Sequence, residues 1–381
     1  MNPMVAQIYS LPGLIRESFD PLDDAVRRAL DHQLCLSVKR VFIAGCGDSH
    51  AAALGSELAF EAVAGVPAEP MTALQFARYA AGYLPRTGPN TNLVIGVSVS
   101  GAVTRTAEAL RLARQAGATT LALTAAASSP VAEAAELLVS PVAPPFPAPP
   151  GVYPPATRSY LANQLTLLLI AVRLGEVRGR LDWSAASALR REVRALAEAA
   201  EATIAACDPV ARAIAEEWQD ANEFVFVGGG PNYATALFSA AKVLEASGDS
   251  ALGQDTEEWG HLQYFARAAP TPTFFITAGG RDLSRAVELA VAANAIGRGV
   301  VAVAPAVAAT AAVRQAAAHT LPLAEGVPEA LTPLIAAIPG ALFAAYRAEV
   351  IGEPYFRAPG GGRAESVQRI RTSQAWETIQ R

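Results

Sequence analysis

The stretch VFIAGCGDSHAAAL, residues 41–54, is an apolar run that stops at a glycine-containing turn and restarts as an alanine-rich helix pattern. It returns as FVFVGGGPNYATAL at residues 224–237, without a gap and at an offset of 183 positions. A second pair follows the first. NLVIGVSVSGAVTRTAEALRLARQAGATTLALT (92–124) and TPTFFITAGGRDLSRAVELAVAANAIGRGVVAVAP (271–305) each read strand, turn, helix, strand. Strands alternating with helices argue for parallel sheets wrapped by helices, with right-handed crossovers. An internal repeat of this length argues for two similar α/β halves. The halves are expected at 30–178 and 206–350. A leader covers 1–29, an amphipathic linker helix 179–205, and an irregular tail 351–381.

Bulk composition narrows the function. The chain has 381 residues, of which 52% are hydrophobic and 17% charged, enough apolar material for two cores. A net charge of −5 speaks against a nucleic-acid partner, which would call for a basic face. Cys35, Cys46 and Cys207 show neither disulfide nor zinc spacing. The start MNPMVAQIYSLPGLIRESFD lacks the pattern of a signal peptide, and apolar runs such as LTLLLIAVRLG look too short or too interrupted to span a bilayer. The expectation is a cytoplasmic protein with no membrane partner. Lys39 and Lys242 are the two lysines of the chain, so each invites a reason for its presence.

In open parallel sheets, ligands sit beyond the carboxyl ends of the strands, where helix N-termini present N–H groups that favour an anion. GCGDSH (45–50) and SVSGAVT (98–104) both fall at such ends in the first half. Gly47, Asp48, Ser49, Ser98, Val99, Ser100, Gly101 and Thr104 are therefore candidates to surround a phosphate or sulfonate. The competing reading is that the serines merely cap their helices. A dinucleotide site fits poorly, because the position of the third fingerprint glycine is His50. The second half has TAGG (277–280) where the first has SVSG, so the hydroxyls are not demanded by the fold. It carries titratable residues instead. Lys242 and Glu245 are three apart on a helix pattern and share a face. His261 follows sixteen residues after Glu245. A carboxylate and an imidazole suit proton transfer at neutral pH; an ordinary ion pair and a surface histidine are the plainer alternatives.

These residues resemble the tandem SIS (sugar isomerase) domain family, which includes the isomerase portion of glucosamine-6-phosphate synthase and related sugar-phosphate deaminases, deglycases and isomerases. The GCG-S and S-SG loops, the Lys-x-x-Glu helix and the following His carry the likeness, as does QIYSLPGLIRE near the start. The resemblance implies two three-layer α/β/α domains with parallel sheets. It implies that Gly47, Asp48, Ser49, Ser98, Val99, Ser100, Gly101 and Thr104 hold an acidic sugar. It further implies that Glu245 is the base, Lys242 its neighbour, and His261 the ring-opening residue reaching into the partner's site of a homodimer. The sequence departs from the family at Val99 (usually Gln), Val103 (usually Thr), Asp48 (Thr in the synthases) and HLQ (usually HGP). It contains no glutaminase domain and no lysine after Lys242; the tail offers Arg363, Arg369 and Arg371. The expected activity is aldose–ketose isomerisation, or amino-sugar-phosphate deamination or deglycation, on a hexose with phosphate or sulfonate at C6. The reaction would need no metal and no cofactor and would have no glutaminase step. A sugar-phosphate sensor without turnover is the alternative.

Overall fold

A computed structural model of the chain describes residues 2–85, 88–141, 143 and 146–356; the tail from 357, with Arg363, Arg369 and Arg371, lies outside them. Ten strands form two five-stranded sheets. The first contains β1 (Arg40–Gly45), β2 (Ala68–Thr72), β3 (Asn92–Val97), β4 (Thr119–Leu123) and β5 (Leu137–Val139), in the order β2-β1-β3-β4-β5. The second contains β6 (Glu223–Gly228), β7 (Ser250–Asp255), β8 (Thr273–Ile276), β9 (Val300–Pro305) and β10 (His319–Leu323), in the order β10-β9-β8-β6-β7. Every pairing is parallel. Two sheets with flanking helices are the repeated α/β architecture that the sequence announces. In each, the chain leaves the first strand, adds a neighbour on one side and returns on the other. That reversal falls between β1 and β3, and again between β6 and β8.

The described residues group into two compact units that are not consecutive along the chain. One comprises Leu14–Pro144 and Ser159–Arg194. The other comprises Met1–Gly13, Pro145–Arg158 and the residues from Ala195 onward. They are called here the β1–β5 and β6–β10 units. The first few residues join the second of these through Asn2. Its Oδ1 caps the helix Pro3–Tyr9 by accepting from Met4 N and Val5 N, while its Nδ2 donates to Ala345 O (3.1 Å) and Glu349 Oε2 (3.0 Å). Of the stretch expected as a linker, 179–205, the part from Trp183 onward lies in one helix, Trp183–Glu217.

Each unit buries its own core. Phe42, Phe76, Val94 and Leu110 meet in the β1–β5 unit, with Phe42 and Phe76 ring centroids 5.7 Å apart. Val225, Trp259, Phe275 and Leu289 do the same in the β6–β10 unit. The run LTLLLIAVRLG is the middle of a longer helix, Arg158–Val177. That helix and Pro333–Ile351 are long and apolar enough to cross a membrane by length and composition, which corrects the expectation of short runs. Their most apolar windows are 89% and 83% buried inside the protein, as core helices require.

The repeat is enforced by glycine. Gly47 and Gly230, 183 positions apart, precede the helices Asp48–Ala59 and Pro231–Ala246 with nearly the same backbone, φ 54°, ψ −127° and φ 53°, ψ −129°. A side chain would be strained there. Gly45 and Gly228 let strand and helix touch. A Cβ on Gly45 would lie 2.8 Å from the Ser49 backbone, and one on Gly228 would lie 2.3 Å from Asn232 O. Gly45→Ala and Gly228→Ala are each expected to destabilise their unit by roughly 1–3 kcal/mol through overpacking. Gly82→Ala meets nothing within 4 Å and should stay within about 0.5 kcal/mol of the parent. Urea unfolding followed by circular dichroism reads all three, and equal midpoints would contradict the close-approach argument.

Candidate functional site

Because β1 and β3 are neighbours in register, with Ala44 beside Gly96, the turns that follow them open into one crevice. Gly47, Asp48 and Ser49 follow the end of β1; Ser98, Val99, Ser100 and Gly101 follow the end of β3. Thr104 begins the helix Thr104–Gln115. The second turn is pinned to the neighbouring strand's end. Ser98 N donates to Leu123 O (3.0 Å), Ala125 N to Val99 O (3.3 Å) and Val131 N to Gly101 O (3.1 Å). The serines do not cap the helices. The N-caps are Gly47 and Val103, and neither helix receives a side-chain cap bond. Ser100 Oγ accepts from Ala102 N at 3.3 Å and so shapes the turn. Ser98 is 2% exposed, and its Oγ has no hydrogen-bond partner among the described residues. A buried hydroxyl left so is costly, and such groups nearly always have a partner.

The repeat supplies the control. The pairing of Ile43 with Ile95 in one sheet matches that of Phe226 with Phe274 in the other. Counting on from these pairs sets Ser98 level with Thr277 and Val103 level with Asp282. Both Val103 and Asp282 are helix N-caps. Thr277 Oγ1 donates to Asp282 Oδ1 at 2.8 Å. The Asp282 side chain lies under the turn at Gly229, where an added Cβ would fall 2.7 Å from Asp282 Cβ. Beside it, Glu329 Oε1 accepts from Arg281 N at 3.0 Å. The crevice between β6 and β8 thus holds carboxylates of the chain itself. In the β1–β5 unit the same place carries Val103, which has nothing to offer Ser98. Burial pushes the Asp282 carboxyl up to about 6, and the Glu329 charge adds to that. The Thr277 hydroxyl and the backbone N–H groups of Asp282 and Gly229 oppose it.

Charge around the β1–β3 crevice comes from residues that sequence reading passed over. Glu108 is wholly buried, paired with Arg105 and 3.6 Å from Arg78 Nε. The charge of Arg105 is felt at Cys46, although burial is the larger influence and pushes that thiol up. The Arg105-x-x-Glu108 spacing was the available signal. On another side Tyr160 is enclosed. Burial, then the charge of Asp48, pushes its hydroxyl up, and Gln164 Nε2 donates to its Oη at 2.9 Å.

The β6–β10 unit brings Lys242 and Glu245 together. On the helix Pro231–Ala246, Lys242 Nζ lies 2.5 Å from Glu245 Oε2. Lys242 is fully buried, with Nζ 4.9 Å from the Phe238 ring centroid and 3.4 Å from Ala156 O. The Glu245 carboxylate is about one-third exposed (32%). His261 ends the helix Thr256–His261 and is exposed. Its Nε2 lies 3.1 Å from Glu257 Oε1, and Arg285 grips the same carboxylate. Arg285 first, and His261 after it, hold the Glu257 carboxyl below its usual value. Among the described residues no three His, Cys, Asp or Glu side chains gather as a metal would need.

Residues 36–172 match the SIS domain family. The chain is 28% identical over 306 residues to the isomerizing glutamine–fructose-6-phosphate aminotransferase of Gloeobacter violaceus, covering 79% of this chain and 49% of that protein. It spans about half the length, or less, of the curated relatives it matches. Among solved structures it is similar to the C-terminal domain of glucosamine-fructose-6-phosphate aminotransferase from Francisella tularensis, with a TM-score of 0.78 at 17% identity over 94% of this chain and 98% of that one. It is also similar to tagatose-6-phosphate ketose/aldose isomerase from Escherichia coli, with a TM-score of 0.70 at 15% identity over 92% and 93%. At such identities the structural likeness establishes the fold.

The Asp282 carboxyl binds its proton more tightly folded than unfolded, so it lowers stability as pH rises from about 4 through about 6. Asp282→Asn is therefore expected to gain on the order of 2–3 kcal/mol over the parent at pH 7.5. The gain should shrink to nothing below the ordinary carboxyl value of 3.8. Denaturant midpoints across that range read it. A difference that does not change with pH would contradict the buried carboxylate.

Proposed function

Because the chain belongs to the SIS sugar-isomerase family, we propose that it is an enzyme that moves a proton between C1 and C2 of a hexose whose C6 carries phosphate or sulfonate. The acidic end binds at Gly47, Asp48, Ser49, Ser98, Val99, Ser100, Gly101 and Thr104. The observation that carries this reading is the hydroxyl of Ser98. Its counterpart Thr277 is satisfied by Asp282, whereas Ser98 is enclosed and meets no acceptor among the described residues. An anion from outside completes it, held also by the N–H groups of two helix N-termini that lack side-chain caps.

Glu245 is the base. Lys242 holds its carboxylate and, being wholly buried, stands as an electrostatic partner rather than an amine that captures a ketose. Proton transfer then passes through an enediol, or through an enolamine when the sugar carries nitrogen at C2. His261 opens the sugar ring from the partner subunit of a homodimer; its exposure leaves it available for that contact. Isomerisation, deamination and deglycation share the step.

The test is exchange of the C2 proton with deuterated solvent, followed by NMR over a panel of 6-phospho and 6-sulfo hexoses and their 2-amino forms. Glu245→Gln is expected to slow exchange by roughly 10²–10⁴-fold. Ser98→Ala is expected to raise KM by roughly 10- to 100-fold, the worth of one hydrogen bond to a charged group. Exchange that survives Glu245→Gln would remove Glu245 as the base. No exchange on any sugar, with binding retained, would make the chain a sensor.

A further inference from the structure

The sequence QIYSLPGLIRE near the start has a specific partner in the fold. Gln7 sits in the helix Pro3–Tyr9 and is buried. Its side-chain Oε1 accepts three hydrogen bonds: from Thr157 N at 2.7 Å, Thr157 Oγ1 at 2.9 Å and Arg158 N at 3.4 Å. Three residues on, Ser10 Oγ accepts from Arg158 Nη1 at 2.6 Å. The N-terminal helix therefore grips the chain at Thr157 and Arg158, where the helix Arg158–Val177 begins.

The same peptide group faces the candidate catalytic pair. Ala156 and Thr157 share one planar trans peptide unit, in which the C=O and the N–H point in opposite directions. The N–H is the one Gln7 accepts. The C=O is the one that accepts from Lys242 Nζ at 3.4 Å. Holding one end of a rigid plane fixes the other, so Gln7 sets where the Ala156 oxygen stands. Lys242 is enclosed with its ammonium between that oxygen, the Phe238 ring and Glu245 Oε2. An enclosed ammonium must find acceptors. Losing the carbonyl from its place would let Nζ move and carry the Glu245 carboxylate with it. All these residues belong to the β6–β10 unit.

We propose that Gln7 is a positioning residue for the Lys242–Glu245 pair, acting through the Ala156–Thr157 peptide. Its catalytic consequence rests on the proposed role of Glu245, and the coupling itself does not. The three contacts of Oε1 are all acceptances, so glutamate at this position keeps the acceptor. Leucine removes it, and asparagine withdraws it by one methylene.

The two-lysine composition makes the test direct. Selective isotope labelling of lysine gives side-chain NMR signals from Lys39 and Lys242 alone. In the parent, the Lys242 signals should be displaced from those of Lys39 by the Phe238 ring. In Gln7→Leu and Gln7→Asn they are expected to shift, and in Gln7→Glu to return to the parent positions. In parallel, kcat for C2 exchange should fall roughly 10- to 100-fold in the first two variants, as misplacement of a reacting group does. It should recover in Gln7→Glu, while KM, set at the serine turns, stays at the parent value. If Gln7→Leu fails to fold, Gln7→Asn carries the same readouts. Unmoved Lys242 signals would overturn the proposal, as would equal movement in all three variants. A moved lysine with unchanged kcat would also overturn it. A parent that exchanges no sugar is the failure of the proposed function, and the lysine signals still decide whether Gln7 sets the pair.

Discussion

A parallel sheet whose strand order reverses leaves a crevice into which two helices point their N-terminal N–H groups, and those groups need an acceptor. Both units of this chain meet that constraint at the same place in the repeat, and they meet it differently. The β6–β10 unit answers from within: Asp282 receives the Thr277 hydroxyl and lies beneath the Gly229 turn, while Glu329 receives Arg281 N. In the β1–β5 unit the N-cap that matches Asp282 is Val103, and the hydroxyl that matches Thr277 belongs to Ser98. Valine offers no acceptor, and Ser98 Oγ is left without a partner among the described residues. One side-chain difference between two otherwise similar turns thus separates a crevice filled by its own carboxylates from the one that the proposed function gives to an anion.

The division of labour follows. A unit whose crevice is already occupied is free to carry titratable groups elsewhere. The β6–β10 unit carries Lys242 and Glu245 on the helix that begins at its own reversal point. The enclosure of Lys242 makes sense of a lysine there in a chain whose basic residues, Lys39 apart, are otherwise arginine. The pair needs a compact ammonium that fits between a ring face, a carbonyl and a carboxylate. A planar guanidinium with five donors would not be satisfied there. The N-terminal helix and the Ala156–Thr157 peptide are then parts of that pair's surroundings, tied to it through Gln7 and the Ala156 carbonyl.

Much of the fold was legible in the sequence because it rests on local signals: apolar runs ending in glycine, helix periodicity after them, and a repeat that keeps both. The serine turns, Lys242 and Glu245 could be found for the same reason. What could not be read depends on contacts between distant residues. Aspartate at 282 looks like an ordinary helix cap until the register of β6 with β8 sets it beside Thr277. Gln7 and Thr157 are 150 positions apart, and nothing in either local pattern joins them. Glu108 reads as a surface helix residue by spacing, yet it is wholly buried between two arginines. The Val103 departure from related sequences gains its meaning only from the comparison with Asp282.

The most direct measurement is therefore to copy one unit's solution into the other. Val103→Asp places a carboxylate where Asp282 stands in the repeat, at an N-cap that tolerates aspartate well. Calorimetric titration of the parent and this variant with a 6-phosphohexitol, which cannot turn over, compares the two crevices. The parent should bind, and the variant should bind roughly 10- to 100-fold more weakly because Ser98 is then satisfied within the chain. A folded Val103→Asp variant that binds the phosphohexitol as tightly as the parent would contradict the assignment of the β1–β3 crevice as the anion site.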